Sequence, residues 1–182
     1  MRNKQKTILG FTLLELIIVM GLVAFLATMG ISIFGNFNKR QNLNIANDNI
    51  HNSLAQAKSF ALSHVVNSVS DSCDTNNVDP SLRGVLIGYE FEVLSSTSYT
   101  INEICQPSGG APERFTPVIN TLSLPPNVEF DSANTNTSIR FLVLTGGAAG
   151  SYWVQFHDME DTNRARAIEV SIEGVIKDAN PR

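Results

Sequence analysis

Between Leu13 and Phe37 the chain carries one charge, the carboxylate of Glu15, in a run built largely from Leu, Ile, Val, Phe and Met. No other feature narrows the accessible folds so far. A helix from Phe11 to Phe37 would be about 40 Å long at ~1.5 Å per residue, more than the ~30 Å of hydrocarbon in a bilayer. No second run of this kind follows in the 182 residues. The expectation is therefore one hydrophobic transmembrane helix over 11–37 and a polar domain on one side of the membrane. Arg2, Lys4 and Lys6 precede the run, and only the pair Lys39 and Arg40 follows it closely. Excess Lys and Arg stay on the cytoplasmic side, which predicts a cytoplasmic N-terminus and an exported domain. Glu15 is then the anomaly. A charged side chain in a membrane helix costs roughly 2.5–3.5 kcal/mol at the bilayer centre on insertion scales, so a partner has to be found for it.

Two ordinary explanations leave that carboxylate without a role. A cleaved secretory signal would fit the basic start, the apolar run and the small residues of Ala24-Phe25-Leu26-Ala27. The apolar run continues past that point, however, and Glu15 would lie inside the signal's hydrophobic region. A plain membrane anchor explains the length of the run and nothing about the acid.

The segment "KTILGFTLLELIIV", Lys6 to Val19, resembles the processing site of type IV prepilins and of the pseudopilins of type II secretion. In that family a short basic leader ends in Gly, an aromatic residue follows, and an acid lies four residues further on. Gly10, Phe11 and Glu15 match these positions. The resemblance implies that 1–10 is a cleaved leader peptide, that a prepilin peptidase cuts between Gly10 and Phe11, and that the new Phe11 amine is N-methylated. It also implies a structural subunit, a minor pilin or pseudopilin. Such a subunit starts in the cytoplasmic membrane and passes through an inner-membrane assembly platform into a periplasmic or extracellular fibre. Its partners would be the lipid bilayer and then other pilin subunits.

In that fibre Glu15 of one subunit would meet the Phe11 amine of its neighbour, which makes Glu15 an assembly residue. Elementary electrostatics agrees. Two charges that are each costly in apolar surroundings neutralise one another, and an unpaired member is penalised, so the pair sets register more than it adds stability. Many family members carry a proline near the middle of this helix, whereas this chain reads "ATMGISIFGN". Gly30 and Gly35 either supply flexibility, at ~1 kcal/mol each relative to alanine, or allow close helix packing.

After Asn42, Leu43, Ala46, Ile50, Leu54, Ala57, Ala61 and Val65 recur at steps of three and four, with Asn44, Asp48, Asn52, Gln56 and Ser63 opposite. This is helix periodicity and predicts an amphipathic continuation over 38–67 whose stripe faces a sheet. "IHNSLAQAKSFALSHVVN" also resembles the equivalent helix of H-type minor pseudopilins and related minor pilins. The remainder, 68–182, reads as an exported globular β domain. Ser68–Gly84 is loop by composition, and its acids Asp71, Asp74 and Asp79 lack the spacing of a calcium loop. "VLIGYEFEVL" alternates, predicting Val85, Ile87, Tyr89, Phe91 and Val93 on one face and Gly88, Glu90 and Glu92 on the other. Ser98–Cys105 reads as its hairpin partner, Gln106–Pro117 as loop. Asn127–Phe130, Ile139–Leu144, Tyr152–His157, Ala167–Ile172 and Val175–Lys177 are further strand candidates. The fold class expected is α+β and pilin-like: a long N-terminal helix packed by its second half on an antiparallel β-sheet.

Cys73 and Cys105 are the two cysteines. In an oxidising compartment an even count points to a bridge rather than to two buried thiols, and closing that loop would contribute about 3–4 kcal/mol. The histidines His51, His64 and His157 are too far apart in sequence to share a metal face. "HDMED", His157 to Asp161, gathers an imidazole and three acids and reads as a solvated hairpin loop rather than an ion site. No nucleophile, phosphate loop or metal spacing appears, so no catalytic residue, cofactor or metal is expected. DNA is an unfavourable partner. Removing the three cations Arg2, Lys4 and Lys6 takes the formal charge from −4 to −7, a field that opposes a polyanion. Near the C-terminus, Arg164, Arg166, Lys177 and Arg182 alternate with acids. The competing reading from another class is a bitopic adhesin or DNA receptor that acts singly.

Overall fold

The computed structural model describes residues 11–63, 73, 84–107, 113–133 and 135–181, with 28–36 and 114–120 described in their backbone alone. The predicted leader, Gly10, His64, Val65 and the acids Asp71, Asp74 and Asp79 lie outside them. One helix, α1 (Leu13–Ser63), is followed by eight strands. They are β1 (Gly84–Ser95), β2 (Ser98–Pro107), β3 (Arg114–Ser123), β4 (Val128–Phe130), β5 (Ser138–Leu142), β6 (Tyr152–Asp158), β7 (Asp161–Val170) and β8 (Ile176–Ala179). α1 contributes to two compact units, one ending at Arg40 and one beginning at Gln41. Its backbone is helical throughout, Gly30 and Gly35 included.

The strands form two four-stranded antiparallel sheets, ordered β3-β2-β1-β5 and β4-β6-β7-β8, where the sequence suggested one. Both close on the apolar stripe of the helix. Leu43 and Ala46 through Ile50, Leu54, Ala57 and Ala61 are buried in one cluster with Tyr89, Phe91 and Ile101 of the first sheet and Val154, Phe156 and Ile168 of the second. The residues predicted on the opposite face, Asn44, Asp48, Asn52, Gln56 and Ser63, are exposed. The stripe is narrow, and three of its buried members, Ala46, Ala57 and Ala61, are small. Polar contacts flank it, with Ser53 Oγ donating to the Tyr99 hydroxyl at 3.3 Å and Lys58 Nζ to the Gly174 carbonyl at 2.9 Å.

Three elements depart from the sequence expectation. In β1 the register shifts between Leu86 and Gly88. That bulge turns Leu86 inward, leaving Val85 56% exposed and Leu86 4%. The alternation therefore holds only from Tyr89 onward, because one extra residue moves every preceding side chain to the other face. Strand β3 occupies part of what read as the Gln106–Pro117 loop. It is an edge strand, and Pro117 sits opposite Asn102 where the pairing is irregular. A missing N–H is tolerated at such a place and in few others. Finally, β7 begins at Asp161 rather than Ala167, and "HDMED" forms the expected hairpin between β6 and β7. The Gly-centred turn between β7 and β8 does form, with Gly174 at φ 73°. A Cβ there would also run into the Gly146 carbonyl.

Candidate assembly site

The first turns of α1 are built around Thr12. Its Oγ1 accepts the Glu15 N–H at 3.2 Å, and its carbonyl accepts the Leu16 N–H at 3.2 Å. Thr12 is thus the N-cap and Glu15 the third helical residue, the spacing of a capping box. The cap fixes where the helix starts. It places the Glu15 carboxylate in the first turn, beside the positive end of the helix dipole and one turn from Phe11. Thr12 did not stand out in the sequence as a site residue, although T-x-x-E before an apolar run is a legible signal.

Beyond the cap, every side chain from Leu13 to Ala27 is exposed. Every large apolar residue from Phe11 to Leu26 is at least half exposed, from 52% at Leu16 and Val19 to 83% at Phe11. A helix that is hydrophobic all round belongs inside an assembly or a membrane. Among the described residues no helix is long and apolar enough to cross a membrane. The apolar run of the sequence continues into 28–36, whose side chains are outside the described set.

Cys73 and Cys105 form a disulfide across a sequence separation of 32. Glu103, two residues before Cys105 and on the same face of β2, is fully buried. Tyr89 lies opposite Glu103 in the neighbouring strand. Burial and then the Glu103 charge push its hydroxyl up to about 12. On the other face of this sheet, buried Glu90 accepts from Arg140 Nε at 3.1 Å and from the Ser138 hydroxyl, while Arg140 also reaches Glu113 at 2.9 Å. Asn102 donates to Glu92 at 2.6 Å.

The "HDMED" hairpin directs its groups to structural work. Asp158 accepts the Glu160 N–H at 2.8 Å, Asp161 pairs with Arg164 at 3.0 Å, and His157 Nε2 lies 3.2 Å from Glu129. Of the C-terminal cations, Lys177 pairs with Glu169 at 3.2 Å and Arg166 donates to Asn44 of α1 at 3.1 Å. His51 is partly buried on the helix.

No family model and no curated protein matches the sequence. Among solved structures, the type IV minor pilin FimU of Pseudomonas aeruginosa (strain PAO1) superposes with a TM-score of 0.50 at 15% identity, over 79% of this chain and 92% of that one. At that identity the likeness speaks for the fold alone. The chain has the α+β fold of a pilin, an N-terminal helix packed by its second half on antiparallel sheets.

Proposed function

We propose that this chain is a structural subunit, a minor pilin or pseudopilin, of a type IV pilus or type II secretion pseudopilus. The observation that carries this reading is the start of α1: an apolar helix exposed on every side, with a capped first turn that holds one carboxylate. A prepilin peptidase removes 1–10 between Gly10 and Phe11, and the new amine is N-methylated. Before assembly 11–37 lies in the cytoplasmic membrane with its N-terminus cytoplasmic; lipid covers the apolar surface. After transfer through the assembly platform, neighbouring subunits cover it instead. The Phe11 amine, with an unperturbed pKa near ~8, is a cation at neutral pH and meets Glu15 of the adjoining copy. The pilin fold supports this reading, as do the prepilin-like residues at 6–19.

The test is co-purification. A tagged chain, made in cells that also make the other pilins, should appear in the sheared fibre fraction and disappear from it when the assembly platform is deleted. A chain that stays wholly in the membrane fraction under conditions where fibres form would instead be the singly acting adhesin or receptor.

A further inference from the structure

The contact between Glu103 and the disulfide has a chemical direction. Glu103 Oε1 lies 3.3 Å from Cys105 Sγ, in the arrangement of an S–H donating to a carboxylate. A bridged sulfur carries no hydrogen, so this contact is a hydrogen bond only while Cys105 is a thiol. The strand enforces the proximity, since residues two apart in β2 share a face. Cys73 Sγ completes the group, all three ligand-type atoms lying within 4.8 Å of one another. Glu103 and Cys105 are both fully buried, whereas Cys73 is 5% exposed. Solvent is therefore a poor proton acceptor for Cys105. The neighbouring hydroxyl is no better: Tyr89 is held protonated to about 12.

We propose that Glu103 is the proton acceptor for Cys105 when the bridge closes, afterwards releasing that proton to water. A disulfide oxidant first exchanges with Cys73, the less buried thiol. The Cys73 proton is lost to water as its sulfur attacks; the oxidant's S–S bond breaks, one oxidant sulfur leaves as a thiolate that takes up a proton from water, and the other stays bonded to Cys73. The Cys105 proton then passes to the Glu103 carboxylate as Cys105 Sγ attacks Cys73 Sγ. The Cys73–Cys105 bond forms, the bond from Cys73 to the oxidant breaks, and the second oxidant sulfur leaves as a thiolate that takes a proton from water. Two electrons pass from the cysteines to the oxidant. Glu103 touches the reacting sulfur, so its role is that of a general base, an effect typically worth ~10²–10⁴ in rate.

The experiment is oxidation of the reduced, folded full chain by oxidised glutathione, followed from pH 5 to pH 10 beside Glu103→Gln. At pH 6 the variant should close its bridge at least about tenfold more slowly. Near pH 10 the difference should vanish or reverse, because hydroxide then forms the thiolate directly and the variant lacks a repelling negative charge. Parallel profiles, whether equal or offset by a constant factor, overturn the proposal; a merely structural Glu103 would give the constant offset. Should the variant fail to fold when reduced, the Cys73→Ser chain gives an independent reading. Its Cys105 S–H stretch should be lowered by a hydrogen bond to Glu103. An S–H stretch at the position of a free thiol overturns the assignment.

Discussion

Glu15→Gln is expected to leave the leader cut yet lower incorporation into sheared fibres by at least about a hundredfold. Breaking a buried ion pair by removing one partner costs roughly 3–5 kcal/mol, because the surviving charge stays in an apolar layer without its counterpart. The first turn of α1 makes glutamine the informative substitution. Glutamine can take the third position of a capping box as glutamate does, so the Thr12 cap and the helix start are kept and only the charge is lost. Glu15→Ala removes the cap partner too and should assemble no better. The measurement is the amount of tagged variant in sheared fibres relative to wild type, with both checked for cleavage. Equal incorporation of the glutamine variant would mean that the carboxylate serves only the helix start.

The second large effect concerns the exported domain. Replacing Cys73 and Cys105 by serine should lower its stability by about 3–4 kcal/mol, since the bridge closes a loop of 32 residues in the unfolded chain. Denaturant titration would show this as a lower midpoint. Loop entropy is the reason to expect a large effect: the bridge ties the polar stretch 74–83, which has little apolar surface of its own, to strand β2. A midpoint unchanged from wild type would show that the bridge does not limit the domain's stability, and free thiols in the exported wild-type protein would remove it from the account.

What was legible in the sequence follows the range of the physics involved. The stripe from Leu43 to Ala61 is a local pattern with one period, and each of its described members is buried. Strand existence was nearly as plain in β2 and β6, short segments rich in aromatic and β-branched residues between turn sequences. Features set by pairing were not. The bulge at Ile87 depends on what β1 meets in β2, and no single-strand pattern announces it. Edge position decides whether Pro117 is acceptable in β3, and edge position belongs to the sheet rather than to the strand. Division into two sheets depends likewise on which strands pair.

The sites show the same division. Gly10, Phe11 and Glu15 are close in sequence and stood out as a motif. Thr12 was legible as the first residue of T-x-x-E but was masked by the stronger signal around it. Glu103 did not stand out in "SYTINEIC". Its position two before a cysteine in a strand was the available clue, since the two side chains then share a face, here the buried one. The acids of "HDMED" stood out by composition, and local backbone and ion-pair contacts account for them.

Intact-mass measurement of the chain purified from cells that process it tests the central claim most directly. The account predicts a single mature species that begins at Phe11 and carries one added methyl group on its amine. A mature chain beginning at Met1, or cut near Thr28 in the manner of a secretory signal, would contradict it: the N-terminus would then lack the amine that Glu15 is held to meet.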